Sequence, residues 1–211
     1  MDRMRTWATL ALAVVAAALA LTACSASMST GGDSNSPAAD GGSTASTKTY
    51  TNDKYGFSIT YGDRFTQGEP VAGLGKGGSS VLDVVFADKS GPVISDRYVN
   101  AIQASVYDLS RAVKPSEVKQ IKGELQGIVD QLMASLDGSA VVQKLTPSTV
   151  NGVPGYAFKY TYTEGGKELT AVTFFLFKGK HEYQITAQSV SSDWEKLKGE
   201  LEDAVKTFTV Q

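Results

Sequence analysis

Tyr156-Ala157-Phe158-Lys159-Tyr160-Thr161-Tyr162-Thr163 alternates a large aromatic ring with a small or polar side chain over eight positions. A period of two puts all four rings on one face of an extended chain. Glu164-Gly165-Gly166-Lys167 follows as hairpin chemistry. Leu169–Phe177 is then an apolar strand, Gly179-Lys180 a second turn, and Glu182–Gln188 a third strand with Tyr183, Ile185 and Ala187 inward. This is a three-strand antiparallel meander, and a sheet with one face so aromatic needs a layer to cover it.

The layers lie on either side of the meander in sequence. Upstream, Val118, Ile121, Leu125, Ile128, Leu132 and Leu136 recur at three- and four-residue steps, which predicts a helix over 116–136 with its apolar stripe through them. Pro115 suits its start and Asp137-Gly138 its end. Gly123 and Gly127 weaken it and suggest a close approach to the sheet. Downstream, Trp194, Leu197, Leu201, Ala204 and Val205 form the stripe of a closing helix, with Ser192 and Glu195 spaced as a capping box. Phe208 and Val210 follow as a short extended tail.

Further upstream, Phe57–Tyr61 alternates as a half-buried strand. Val81–Asp88 is a strand with Leu82, Val84 and Phe86 on one face and Val85 on the other. Tyr98–Leu109 is another, with Ile102, Ala104 and Val106 on one side. Val141–Thr146 extends after the first helix, and Asn151-Gly152 and Val153-Pro154-Gly155 are turn chemistry. Strands, helix, strands, helix, joined by hairpins, predict an α+β domain with a mainly antiparallel sheet.

The chain has 211 residues, 42% hydrophobic and 20% charged, with a formal net charge of −2. That is one domain plus extras. The charge argues against a nucleic-acid partner, which requires clustered Lys and Arg. One Cys allows no intrachain disulfide, and one His disfavours a multi-His metal site. No metal and no cofactor is expected.

The first residues read as an address. Arg3 and Arg5 precede an uncharged run from Trp7 to Leu21, shorter than the roughly 20 residues that span a bilayer. Leu21-Thr22-Ala23-Cys24 then resembles the lipobox of bacterial lipoproteins. That resemblance implies cleavage between Ala23 and Cys24 and a diacylglyceryl thioether on Cys24, usually with a further acyl chain. Residues 1–23 are therefore the expected signal peptide, and the protein is expected at the cell membrane, lipid-anchored on the extracytoplasmic face. Lipidation also removes a thiol that an exported protein would otherwise carry unpaired. Apart from Cys24 and Lys48, residues 24–48 are Ser, Gly, Ala, Thr, Asn, Asp and Pro with Met28 as the one large apolar residue. Such composition predicts a disordered tether with a reach of roughly 25–30 Å. The folded domain is expected over 49–211.

Two segments carry a family resemblance: Tyr50 with Asp53-Lys54-Tyr55-Gly56-Phe57-Ser58-Ile59-Thr60-Tyr61, and Asn151-Gly152-Val153-Pro154-Gly155-Tyr156-Ala157-Phe158 followed by the meander, the Trp194 helix and Thr207-Phe208. Their order resembles the PsbP/Mog1-like fold, in particular actinobacterial lipoproteins of the LpqN/LpqT kind. The resemblance implies an α-β-α sandwich and a non-enzymatic binding or accessory role, with an envelope protein or glycolipid as partner.

Four patterns bear on chemistry. Gly73-Leu74-Gly75-Lys76-Gly77-Gly78 fits GxGxxG, but a strand follows it where a dinucleotide site needs a helix, so it reads as a loop. His181-Glu182 begins like a zincin motif and lacks the second His. A hydrolase would have to use His181, with a nucleophile and an acid within hydrogen-bond reach. Tyr156, Phe158, Tyr160 and Tyr162 are the candidate binding surface, against the plainer reading that they pack under a helix. Lys119, Lys122, Glu117 and Glu124 read as a solvated face. A carrier of an amphipathic envelope lipid is the remaining alternative, and it requires a deep apolar cavity between sheet and helix.

Overall fold

The computed structural model describes residues 46–68 and 80–211. The signal peptide, Cys24, nearly all of the expected tether, and Gly73–Gly78 lie outside them. Strand β1 (Thr47–Asn52) already pairs at Thr47 with Gly62, so the fold begins two residues before the expected boundary.

Three sheets form. A small one has the order β1–β2–β11, where β2 is Phe57–Gly62 and β11 is Thr209–Val210. The main sheet contains β3 (Phe65–Gly68), β4 (Ser80–Asp88), β7 (Ala101–Val113), β10 (Lys167–Val190), β9 (Val153–Glu164) and β8 (Ala140–Val150), in that order. A short hairpin pairs β5 (Val93–Ile94) with β6 (Arg97–Tyr98). Every pairing is antiparallel.

Strand β10 is extended throughout yet doubles back on itself. Thr173 Oγ1 and Thr186 Oγ1 lie 2.9 Å apart, whereas 13 residues of straight strand would separate them by about 43 Å. The reversal is at Gly179, whose φ of 63° suits the first position of a tight hairpin turn. One arm pairs with β9 from Lys167 to Leu176, and the other with β7 from Gly179 to Gln188. The meander is thus as the sequence predicts. The turns at Asn151-Gly152 (φ 46° and 81°) and Gly165-Gly166 (φ 55° and 74°) hold two successive left-handed residues each, the backbone that matches strand twist. Val153-Pro154-Gly155, expected as a turn, is instead the first part of β9. Proline is tolerated at the start of a strand, and a Cβ on Gly155 would fall onto the Phe175 carbonyl oxygen.

Two helices cover opposite faces of the main sheet. Helix α2 (Ser191–Thr207) buries Trp194, Leu197, Leu201, Ala204 and Val205 against Ile102, Ala104, Val106, Ile185, Ala187 and the small sheet's Phe57 and Ile59. Helix α1 (Lys122–Ser135), preceded by a 3-10 segment (Pro115–Ile121), buries Leu125 and Val129 with Val118 and Ile121 on the other face. The result is an α-β-α arrangement of the α+β class.

Local expectations fail in three places. The stripe of α1 passes through Val129, while Ile128 is 41% exposed. Gly123 and Gly127 face open space, with no atom where a Cβ would meet one, so no close approach to the sheet explains them. No capping box forms at Ser192. Helix α2 starts two residues earlier, with Val190 at the N-cap, Ser191 Oγ bonds Thr170 Oγ1 at 2.8 Å, and Glu195 pairs with Lys198 instead.

Candidate functional site

The face of the main sheet that carries α1 is divided into two chemistries. Beneath α1 and the 3-10 segment it is aromatic. Beyond them, on β4, β7 and the second arm of β10, the same face carries Asp83, Gln103, Ser105, Tyr107, Glu182, Gln184 and Thr186 beside the apolar Val85, Ala87 and Ala101. Register aligns them in rows across three strands. Asp83 and Gln184 both face Ser105, Ser80 and Glu182 both face Tyr107, and Thr186 faces Gln103.

The rows are wired together. Gln103 Nε2 donates to Ser105 Oγ at 3.0 Å, and Ser105 Oγ donates to Asp83 Oδ1 at 2.5 Å. Ser80 Oγ donates to the other oxygen of Asp83 at 2.6 Å. Gln184 Nε2 donates to Glu182 Oε1 at 2.9 Å. Gln103, Ser105 and Glu182 are buried. Burial pushes the Glu182 carboxyl up to about 7, against a smaller opposing effect of the Gln184 amide. Burial first, and then the carboxyls of Asp83 and Glu182, raise the Tyr107 phenol well above its ordinary value. Among the described residues, no lysine or arginine forms an ion pair with Asp83 or Glu182.

Gln103, Ser105, Glu182 and Thr186 are buried, so the partly exposed groups of this arrangement are Asp83, Tyr107 and Gln184, and burial favours the protonated form of Glu182. The arrangement lacks an activated nucleophile. Both serine hydroxyl protons are committed to Asp83, and no imidazole stands in the cluster. Sequence reading passed over this patch because it followed the apolar half of each alternation. The polar half was visible as Gln103-x-Ser105-x-Tyr107 and Glu182-x-Gln184-x-Thr186.

Tyr156, Phe158, Tyr160 and Tyr162 are not a surface. All four are buried, with Phe158 and Tyr160 stacked at 4.7 Å and Phe158 and Phe175 at 5.9 Å. The candidate binding stripe is the core beneath α1, because the helix needs an apolar floor and this is the floor it covers. Burial pushes the Tyr160 phenol up to about 12. The Tyr162 hydroxyl donates to Gln188 Oε1 at 2.7 Å, so its polar tip is satisfied inside the protein.

His181 pairs across the ladder with Asp108, and its Nδ1 lies 3.0 Å from Asp108 Oδ1. An acid is therefore within reach, as a hydrolase requires. The groups packed against the ring are Tyr55 at 5.7 Å and Tyr183 at 6.0 Å, both edge-on. Neither can serve as the hydroxyl nucleophile of a triad here, since Tyr183 Oη donates to the Tyr55 carbonyl at 2.9 Å and Tyr55 Oη to the Val81 carbonyl at 3.4 Å.

Two surface clefts lie among the described residues. One of about 300 Å3 lies between α1 and β8 and is lined by Gln126, Val129, Val141, Lys144 and Leu145. The other, of about 200 Å3, lies where Pro115, Gly152, Pro154 and Phe177 meet. Both are at or below the small end of ligand pockets and open to solvent. Neither is the deep cavity that a lipid carrier requires. Among the described residues, no three His, Cys, Asp or Glu side chains converge as metal ligands.

The antiparallel main sheet lies between two helices, and a small sheet brings together the first and last strands of the domain. The sequence profile of the PsbP family matches residues 45–210, and the chain belongs to that family. Solved structures agree on the fold. The cyanobacterial PsbP (CyanoP) of Synechocystis sp. PCC 6803 is 14% identical, with a TM-score of 0.54 over 83% of this chain and 98% of that one. LpqN of Mycobacterium tuberculosis, described as involved in cell envelope biogenesis, is 14% identical, with a TM-score of 0.52 over 79% of this chain and 91% of that one. No curated protein matches the chain.

Proposed function

We propose that this PsbP-family protein is a lipid-anchored extracytoplasmic accessory module that binds a cell-envelope protein without covalent chemistry. The observation that carries the reading is Leu21-Thr22-Ala23-Cys24 at the end of an uncharged run that two arginines precede. Two or more acyl chains on Cys24 anchor stably where one is marginal, at about 0.8 kcal/mol per buried methylene. The Ser/Gly/Ala tether then presents the domain beyond the lipid. The likeness to LpqN in fold, and the envelope role stated for that protein, support the same setting. The contact surface is the partly exposed part of the polar side of the main sheet, Asp83, Tyr107 and Gln184, whose fixed donors and acceptors suit recognition.

Labelling cells with a palmitate analogue tests the anchor. The wild-type chain takes up label in the membrane fraction and Cys24→Ala does not. An unlabelled wild-type protein found in the cytosol overturns the reading. A photo-crosslinking residue at position 184 tests the surface in the same cells. A discrete adduct with an envelope protein supports it, and adducts no different from those at exposed position 119 overturn it.

A further inference from the structure

Strand β8 closes one edge of the main sheet. Among the described residues it pairs with β9 alone, and its outer backbone is unpaired. A free edge repeats amide donors and carbonyl acceptors at strand spacing. An extended polypeptide matches that repeat group for group, and a lipid or a sugar does not. Ahead of Pro147, which has no N–H to offer, the strand sets two adjacent valines toward solvent, Val141 at 47% and Val142 at 56% exposed.

Helix α1 runs beside this edge, and the cleft of about 300 Å3 lies between the two. Val129 and Leu145 in its lining are buried, so its apolar lining is part of the rigid core. The volume suits a side chain or two rather than a whole ligand. Lys144 is the one charged residue that lines it, and among the described residues Lys144 forms no ion pair. Asp130 on α1 is engaged elsewhere, accepting from Gln126 Nε2 at 2.8 Å. The uncompensated charge therefore calls for a carboxylate from the occupant. A second copy does not supply one, because a two-fold pair of strands through 140–146 would set Lys144 beside its own counterpart.

We propose that β8 and α1 form a peptide-receiving groove. An extended segment of a partner protein adds as a seventh strand beside residues 140–146, places an apolar side chain in the cleft and sets an acidic one against Lys144. β9 and the first arm of β10 separate this edge from the polar rows, so the inference does not depend on them. A displayed library of random heptapeptides, selected on the full-length protein, tests it. Enriched sequences carry an acidic residue beside an apolar one. The synthetic peptide slows hydrogen exchange over 140–146 and leaves β7 unchanged. Lys144→Glu weakens that peptide about two- to fivefold, the range of an exposed ion pair, and a peptide with lysine in place of its acidic residue binds Lys144→Glu more tightly than wild type. A peptide methylated at every backbone nitrogen does not bind. Enrichment of no sequence, equal binding to wild type and Lys144→Glu, undiminished binding of the methylated peptide, or protection of β7 in place of β8 overturns the groove. So does slow exchange over 140–146 before any peptide is added, which gives the edge to a second copy or to another part of this chain.

Discussion

The Asn151 carboxamide donates to the Phe208 carbonyl at 2.9 Å and, with its second hydrogen, to the Lys206 carbonyl at 2.7 Å. The tip of the β8–β9 hairpin thereby caps the C-terminal end of α2, where helix carbonyls lack intrahelical partners. Asn151 also carries a positive φ of 46°. Asn151→Gly keeps the turn and loses both bonds, and is expected to cost about 1–3 kcal/mol in urea denaturation. Asn151→Ala adds the left-handed penalty and costs about 1–2 kcal/mol more. Equal stabilities for the two variants would show that turn geometry is not at stake.

Gly155 is where β9 and the first arm of β10 come too close for a side chain. Gly155→Ala places a methyl on the Phe175 carbonyl and must push the strands apart. Overpacking of this kind costs about 1–3 kcal/mol. Gly123→Ala, in open space on α1, is the control and gains about 1 kcal/mol from helix propensity. Thermal melts of both variants check the contrast.

The buried aromatic stripe is a stability element. Phe158→Ala is expected to cost about 3–5 kcal/mol of folding free energy by cavity formation. A binding stripe would instead leave the denaturation midpoint unchanged, so one equilibrium unfolding curve separates the two roles.

Glu182 makes stability depend on pH in a stated direction. Its folded value of about 7 lies above the ordinary 4.5, so between these values the folded state binds more protons than the unfolded chain. Stability is then fully present below about pH 4.5 and is lost as pH rises through 7. Glu182→Gln removes this dependence. It matches wild type at low pH and exceeds it at pH 8, by an amount on the order of 2–4 kcal/mol. A wild-type-minus-variant difference that stays flat from pH 5 to 8 rejects the assignment.

The sequence disclosed the fold where apolar side chains alternate cleanly. Ile102, Ala104 and Val106, the four rings of β9, and the five stripe residues of α2 all lie inward as their spacing requires. It misplaced Ile128 because the helix begins as a 3-10 segment. Three residues per turn over 115–121 align Val118 with Ile121 and shift the phase of the α-helical turns that follow, so Val129 faces inward instead. The aromatic stripe showed as a face, but a period of two does not say which layer covers it. The polar rows were hidden for a different reason. Gln103 and Glu182 are ordinary letters for a solvated strand, and only register on three strands far apart in sequence brings them to one place.

Strand β1 lies at the edge of the small sheet, joined to β2 by six cross-strand pairs and steadied by Tyr50 against Phe57 and Phe86. Any pull through the chain before Thr47 enters the domain there. If the proposed lipid anchor and tether hold, force along the tether reaches β1 before the helices or the main sheet. This strand can peel and re-zip while the three polar rows of the main sheet keep their shape.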